Sequence, residues 1–194
     1  VTLPRAWNDG EAFKIACHDL SDTIVWYRKH FTVDEVAGMK YFVEFEGVRF
    51  GADFYLNGHH LGLSENGVMA CGFDLTPYII KGENVIAVRT DNSWTYRERS
   101  TGSRYQWNDK NFNANYGGIP KNVWLHRCGT LYQTLPLYSN LGTVGTYVYG
   151  TDYDIAGRKV RVNVEAEVAN EGNADRSFRI HTVVRNVDGK EVLS

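Results

Sequence analysis

The stretch Ala52-Asp53-Phe54-Tyr55-Leu56-Asn57-Gly58-His59-His60-Leu61 decides the fold class of this chain. Hydrophobic and polar positions alternate beside Asn57-Gly58, and a period of two predicts strands. Asn-Gly between two such runs is the strongest short signal for a β-hairpin, because both residues tolerate a positive φ. The stretch therefore predicts two antiparallel strands joined by a tight turn.

The same period of two continues outward from the hairpin. Alternating runs cover residues 23–33 and 41–46 before it, and residues 84–90 and 123–126 after it. The only helical signal is one short turn at residues 75–79, with Asp74 or Thr76 as its cap. Many short strands with regular turns are typical of a sandwich or barrel, so we expect an all-β fold.

Composition excludes several classes of function. The 194 residues carry a net charge of −2, so no electrostatic signature of a nucleic-acid or anionic-membrane partner exists. No apolar run approaches the ~20 residues of a membrane span. Aromatic residues reach 13%, an excess that suits both a sandwich core and a concave ligand site.

Metal and cofactor motifs are not found. Cys17, Cys71 and Cys128 are far apart and belong to no Cys/His cluster, so three buried thiols are favoured over one disulfide with a free thiol. Neighbouring strand residues point to opposite faces, so His59 and His60 are not expected to share an ion. The sequence predicts neither a metal nor a cofactor.

The strand pattern fails between residues 91 and 119, in a polar segment crowded with aromatic residues. Irregular loops beyond ~12–15 residues are uncommon in compact domains and are often functional. Asn and Asp side chains can hydrogen-bond the polar groups of a ligand, and aromatic faces can hold its apolar faces. The alternative is that Trp107, Phe112 and Tyr116 anchor the loop while its asparagines make local turn bonds. The candidate ligand-contacting residues are Trp107, Asp109, Asn111, Asn113 and Asn115.

A second β unit follows a Gly- and Pro-containing connection. Alternation over residues 160–168 and 178–184 predicts two strands, with a turn at 187–190. An immunoglobulin-type sandwich needs ~100 residues and seven strands, and residues 141–194 supply roughly half of that. We therefore divide the chain into a sandwich at residues 1–139 and a half sandwich at residues 140–194. The apolar stripe of the half sandwich predicts homodimerisation or packing back onto the first domain.

An ordered set of short motifs resembles the front region of glycoside hydrolase family 2, which includes β-galactosidases, β-glucuronidases and β-mannosidases. The motifs are Leu3-Pro4 with Trp7-Asn8, Trp26-Tyr27-Arg28-Lys29, Phe45-Glu46-Gly47-Val48, Tyr55-Leu56-Asn57-Gly58 with Leu61-Gly62, Phe73-Asp74-Leu75-Thr76, Gly82-Glu83-Asn84, Asp91-Asn92-Ser93, and Gly118-Ile119 before Val123-Trp124-Leu125. Many family members have Arg after the Gly-Ile-Tyr of the closing motif, where this chain has Pro120-Lys121.

The resemblance implies a jelly-roll, galactose-binding-like sandwich, then an immunoglobulin-like domain, then a (β/α)8 catalytic barrel outside this chain. The family's two catalytic glutamates belong to that barrel, so no catalytic residue is expected here. Asn170-Glu171 is similar to the pair that carries the family's acid/base, but it ends an alternating strand, and a solvated turn is the favoured interpretation. The resemblance also implies a periplasmic or secreted enzyme that acts on a terminal β-linked sugar.

Three functions remain open at this point. The favoured one is a non-catalytic front end of a β-galactosidase-like enzyme. The resemblance implies that the 91–119 loop then reaches the substrate pocket and that its candidate residues contact the terminal sugar. The others are a free-standing carbohydrate-binding module and a purely structural sandwich. The unfinished second domain argues against the free-standing module.

Overall fold

The computed structural model describes residues 1–7, 10, 22–104, 116–138 and 140–193. Within these residues the ordered structure is made of β-strands, so the prediction of an all-β fold is confirmed. The strands are β1 (Arg5–Ala6), β2 (Ile24–Val33), β3 (Met39–Phe45), β4 (Gly51–Leu56), β5 (His59–Ser64), β6 (Cys71–Asp74), β7 (Gly82–Asp91), β8 (Gly118–Ile119), β9 (Val123–Gly129), β10 (Leu131–Gln133), β11 (Thr146–Asp154), β12 (Lys159–Ala166), β13 (Val168–Asn170), β14 (Val184–Arg185) and β15 (Glu191–Leu193).

Two antiparallel sheets form the sandwich. The larger sheet has the order β2-β7-β4-β5, and the smaller has the order β6-β3-β9. β4 and β5 are the predicted hairpin, with Leu56 in register with His59. Its turn residues Asn57 and Gly58 have φ values of 50° and 85°, the left-handed conformations that this two-residue loop requires.

The core lies where the inner faces of the two sheets meet. Phe54 of the larger sheet is fully buried. Its ring centroid lies 4.8 Å from that of Phe45 and 4.7 Å from that of Phe73, both from the smaller sheet. Ala52 and Leu56 are also fully buried, because alternate residues of β4 point inward. This alternation turns Asp53 and Tyr55 outward.

The predicted helical turn is present as a single turn. The amides of Tyr78 and Ile79 both donate to the carbonyl oxygen of Leu75, at 3.0 and 2.9 Å. Asp74 Oδ1 accepts a hydrogen bond from the amide of Thr76 at 2.8 Å, as a helix cap does. The sequence therefore predicted the turn, and of its two candidate caps, Asp74 and Thr76, the structure shows Asp74.

The region after β9 pairs with the later part of the chain. β10 lies antiparallel to β13, with Tyr132 in register with Ala169. β11 and β12 form a long hairpin, and β14 and β15 form a short one. The division into domains at residues 139 and 140 stays a prediction, because the β10–β13 pair links residues from both sides of it.

Two strand predictions in this region are wrong in part. Of the strand expected over 178–184, only β14 at its end forms, and Phe178 and Ile180 lie exposed. Alternation alone does not make a strand, because backbone groups also need a paired neighbour. The strand expected over 160–168 is split at Glu167, whose amide donates to Gly145 O and whose carboxylate accepts from Thr134 and Val144.

A cleft of about 980 Å³ opens between the edge strands β2 and β9. Its walls include core-facing apolar side chains such as Val25, Phe31, Val88 and Val123. Among the described residues it is the open side of the sandwich, and Arg5, Arg28, Lys29 and Asn122 line it beside the apolar side chains.

Candidate functional site

The five sequence-predicted sugar contacts lie outside the described residues. These are Trp107, Asp109, Asn111, Asn113 and Asn115, and their roles stay predictions. The structure does describe both flanks of their segment, residues 91–104 and 116–119, which we call the loop base. Tyr116, which the alternative interpretation uses as an anchor, is half-buried there.

Asp91 fixes the start of the loop base. Its Oδ1 accepts hydrogen bonds from the amide and the hydroxyl of Ser93, at 3.1 and 2.7 Å. Its Oδ2 accepts from Arg89 Nη2 at 2.8 Å. An Asp that bonds the backbone two residues ahead makes an Asx turn, so β7 ends here for a local reason. The next amide, of Asn92, donates to Thr23 O at 2.9 Å and holds the turn against the chain before β2.

Asp53 anchors the loop base to the outer face of the larger sheet. It is only 3% exposed, in the middle of β4. Arg99 Nη2 donates to its Oδ2 at 2.6 Å, and His60 Nε2 lies 3.1 Å from its Oδ1. Arg89 Nη1 lies 3.6 Å from Oδ2, so Arg89 links Asp53 to Asp91. A buried carboxylate needs such partners, and here they include a residue of the loop.

Tyr96 and Glu65 make a second attachment. The Tyr96 hydroxyl donates to Glu65 Oε1 at 2.6 Å, and the amide of Arg99 donates to the same oxygen at 2.9 Å. The Tyr96 ring covers Gly51, where a Cβ atom would lie 2.2 Å from the ring, so only glycine fits. Burial, together with the bond to Glu65, raises the pKa of Tyr96 well above its ordinary value. Tyr96 is therefore a neutral donor at physiological pH.

The returning flank of the loop base lies beside its start. Gly118 pairs with Arg49 through two backbone hydrogen bonds of 2.9 and 3.0 Å, with a φ of 106° that favours glycine. A Cβ atom on Gly117 would lie 3.1 Å from Asn92 Cγ. Arg104 Nε, at the other flank, donates to Trp94 O at 3.0 Å. Residues 104 and 117 therefore both lie close to residues 92–94, so the two flanks of the loop meet at one place.

The chemistry of the loop base is that of a support. Asp53, Asp91 and Glu65 each accept hydrogen bonds from guanidinium, hydroxyl or amide donors and so hold the loop base in place. Sequence analysis did not single out Asp53, Arg89 or Arg99. The sequence did contain a signal for this site, because Asp53 is a charged residue at the centre of a hydrophobic strand and therefore needs a partner on the outer face of the sheet.

A separate ion pair joins the smaller sheet to the later part of the chain. Lys40 is 8% exposed, and its Nζ donates to Asp74 Oδ2 at 2.7 Å and to Glu171 Oε2 at 2.8 Å. Tyr132 donates to the other oxygen of Glu171. Burial works to lower the pKa of Lys40, but its two carboxylate partners outweigh burial and raise it. Glu171 is thus bound to Lys40 and is not merely part of the solvated turn that the sequence favoured.

We expect Glu171→Gln to lower the free energy of unfolding by about 1 kcal/mol at neutral pH, because the Glu171 side chain is 45% exposed and water screens the pair. The Lys40 and Tyr132 hydrogen bonds lower the pKa of Glu171 in the folded chain. The contribution is therefore complete above the ordinary value of 4.5 and is lost as the pH falls through the lower folded-state pKa.

Urea unfolding across pH 2.5–7 is the measurement, with the exposed Glu191→Gln as the matched control. The stability difference between the wild type and Glu171→Gln should disappear at the lowest pH. If it persists unchanged there, the Glu171 ion pair with Lys40 is not its cause.

The remaining predicted features have clear positions. His59 and His60 do lie on opposite faces, since His59 stacks on Tyr78 with a centroid distance of 4.5 Å while His60 faces Asp53. Cys71 is a buried free thiol, as the sequence favoured, whereas Cys128 is a free thiol that is only half-buried; burial raises the pKa of Cys71 to about 11. Cys17 lies outside the described residues.

Two other features, a metal site and a membrane-spanning helix, have no candidate in the described ranges. No group of three or more His, Cys, Asp or Glu residues is placed to hold a metal ion. Among the same residues, no helix is long and apolar enough to cross a membrane.

The fold and the loop base together define a galactose-binding-like β-sandwich. A family model described as "Glycosyl hydrolase 2 galactose-binding domain-like" matches residues 12–124. The chain belongs to glycoside hydrolase family 2, as the sequence motifs indicated.

Individual relatives agree with this assignment. A β-glucuronidase of Formosa agariphila is 39% identical over 99% of this chain and 20% of its own length. The β-galactosidase BoGH2A of Bacteroides ovatus is 31% identical over 86% of this chain and 17% of its own length. The solved structure of a family 2 β-glucuronidase superposes with a TM-score of 0.75 and 36% identity, over 98% of this chain and 21% of that one. The chain thus spans about a fifth of the length of these relatives.

Proposed function

We propose that this chain is a non-catalytic sugar-binding region of a family 2 glycoside hydrolase that cleaves terminal β-glycosidic bonds, in the manner of a β-galactosidase. We call that larger protein the intact enzyme. The barrel that carries catalysis would lie outside this chain, and this region would shape the substrate pocket from outside the barrel. Trp107, Asp109, Asn111, Asn113 and Asn115 are its proposed sugar contacts.

One observation carries this proposal: the two flanks of the 105–115 segment meet on a fixed polar base. Arg99 on Asp53 and Tyr96 on Glu65 attach one flank to the larger sheet, and Gly118 pairs with Arg49 at the other. Contacts that orient a substrate need supports that do not move, since small misplacements weaken catalysis strongly. Ion pairs and close glycine packing provide such a support.

Purified chain is expected to hydrolyse neither aryl β-galactoside nor aryl β-glucuronide, the two substrate types that match the names of the relatives. It should also bind galactose and glucuronate only at millimolar concentration or weaker, since good sites bury most of a ligand's surface and only one wall is proposed here. Turnover above a mock preparation would overturn the non-catalytic assignment. Micromolar binding of a monosaccharide in calorimetry would favour a free-standing carbohydrate-binding module.

We also propose that the isolated chain dimerises through the β11–β12 hairpin. Val160, Val162 and Val164 are 47%, 50% and 37% exposed, and Val148 lies in register with Val164 on the same face. This stripe is not packed back onto the sandwich, and covering each valine would stabilise a dimer by about 1.5 kcal/mol or less.

Sedimentation velocity from low to high micromolar concentration tests the dimer. We expect a rising average mass for the chain and a constant monomer mass for Val162→Lys, with Val187→Lys as the exposed control. A monomer at every concentration contradicts the proposal. The periplasmic or secreted location of the intact enzyme is part of the same proposal, and fractionation of the source cells tests it.

A further inference from the structure

A row of three rings crosses the outer face of the larger sheet. The ring centroids of Trp26 and Tyr55 are 5.8 Å apart, and those of Tyr55 and His60 are 5.1 Å apart. Trp26 is 59% exposed, an unusually large accessible area for a Trp. We call these three residues the ring row. It lies on strands β2, β4 and β5, so the sheet itself holds it in place.

The sheet surface beside the ring row carries a small side chain. Between Tyr55 on β4 and Arg28 on β2 lies Ala87 of β7, in register with both. One methyl group flanked by large side chains leaves a depression on the sheet surface. A flat ligand can therefore lie across the face and contact the rings.

Charge at this face is arranged asymmetrically. Two carboxylates of this face, those of Asp53 and Asp91, lie underneath, with side chains 4% and 11% exposed. Glu83 at the start of β7, in contrast, is 71% exposed and pairs with His30. The guanidinium groups lie above the two buried carboxylates, with Arg89 at 25% and Arg99 at 52% exposure. Arg28 is also exposed, and no carboxylate of the described residues lies within ion-pair distance of it. The surface therefore presents fixed cations beside aromatic rings, although the chain as a whole carries a net charge of −2.

This combination discriminates between kinds of occupant. The buried centre of a protein–protein interface is depleted of charged residues, whereas Arg28, Arg89 and Arg99 surround the ring row. Saccharides offer apolar ring faces that pack on aromatic side chains, and their carboxylate or sulfate groups accept bidentate hydrogen bonds from arginine. Three successive rings fit an extended saccharide better than a single sugar.

We propose that the outer face of the larger sheet is a second carbohydrate site, in which the ring row and Arg28 bind an anionic polysaccharide. The residues that form this site belong to β2, β4 and β5, not to the 105–115 segment. The anionic group is a carboxylate or a sulfate ester, two sources of one recognition chemistry. Its role would be to hold the enzyme on a charged polymer while the pocket acts on chain ends.

Affinity gel electrophoresis of the chain tests this proposal with three soluble polymers: polygalacturonate for carboxylate, κ-carrageenan for sulfate, and neutral β-galactan. We expect retardation by at least one anionic polymer that exceeds retardation by the neutral one. Trp26→Ala should weaken that binding at least about tenfold, because it removes the most exposed ring. Arg28→Gln should abolish the preference for the anionic polymer.

The matched control is Trp124→Ala, because Trp124 is 51% exposed on the outer face of the smaller sheet and donates to Glu46 at 2.8 Å. It should bind like the wild type. Retardation by none of the polymers overturns the proposal, as does retardation that Trp26→Ala leaves unchanged. Sedimentation of the same proteins tests the other possible occupant, a second copy of the chain. Self-association that Trp26→Ala abolishes would assign the face to that second copy and overturn the proposal. None of these outcomes involves the 105–115 segment, so they leave the proposed function to its own tests.

Discussion

Replacing Asp53 with alanine is expected to lower the free energy of unfolding by about 2–4 kcal/mol. The carboxylate is 3% exposed and accepts from Arg99 at 2.6 Å, with His60 and Arg89 also in contact. Removing one partner of a buried ion pair costs up to ~3–5 kcal/mol, because the charge of the other partner is left uncompensated. The cost is expected to be somewhat lower here, because Arg99 and His60 can be solvated by water and Arg89 retains its ion pair with Asp91.

The measurements are urea unfolding and thermal unfolding at neutral pH, and a loss of this size lowers the melting temperature by roughly 5–15 °C for a chain of this length. Glu83→Gln is the control, because Glu83 makes an exposed pair with His30 at 3.4 Å that should contribute ~0–1 kcal/mol. Amide exchange adds a local readout: residues 96–104 should exchange faster in Asp53→Ala than in Glu83→Gln. Equal stability and equal exchange in the two variants would show that Asp53 does not anchor the loop base.

The sandwich was accessible from sequence because its determinants are local. Alternation places Ala52, Phe54 and Leu56 on one face, and Asn57-Gly58 can adopt the two positive φ values of the hairpin without help from the rest of the chain. The capped turn after Asp74 is equally local. Ordered motifs along the first 125 residues then identified the family.

The loop base was not accessible in the same way, because its contacts join distant positions. Asp53 and Arg99 are 46 residues apart, and Lys40 and Glu171 are 131 residues apart. Sequence shows that a buried charge needs a partner but does not say which one. Glu167 is a similar case, since bonds to Thr134 and Val144 end a strand that alternation alone would continue.

Hydrolysis by the intact enzyme is expected to depend on the segment between the two flanks of the loop base. Replacing Asn111 and Asn113 together with alanine should lower kcat/KM for an aryl β-galactoside or β-glucuronide by about 10- to 100-fold. Each lost hydrogen bond to a sugar hydroxyl costs ~0.5–1.5 kcal/mol, and misplacement of the substrate adds to that loss. Thermal stability should stay close to that of the wild type if the two side chains contact sugar and do not hold the loop.

The decisive measurement is therefore kcat/KM of the intact enzyme for three proteins: the wild type, the Asn111→Ala/Asn113→Ala variant, and Asn173→Ala. Asn173 is an exposed asparagine in the later part of the chain and serves as the matched control. The account predicts a loss of at least about tenfold in the loop variant alone, with unchanged melting temperature. Equal kcat/KM in all three proteins would contradict it and would leave this region a purely structural sandwich.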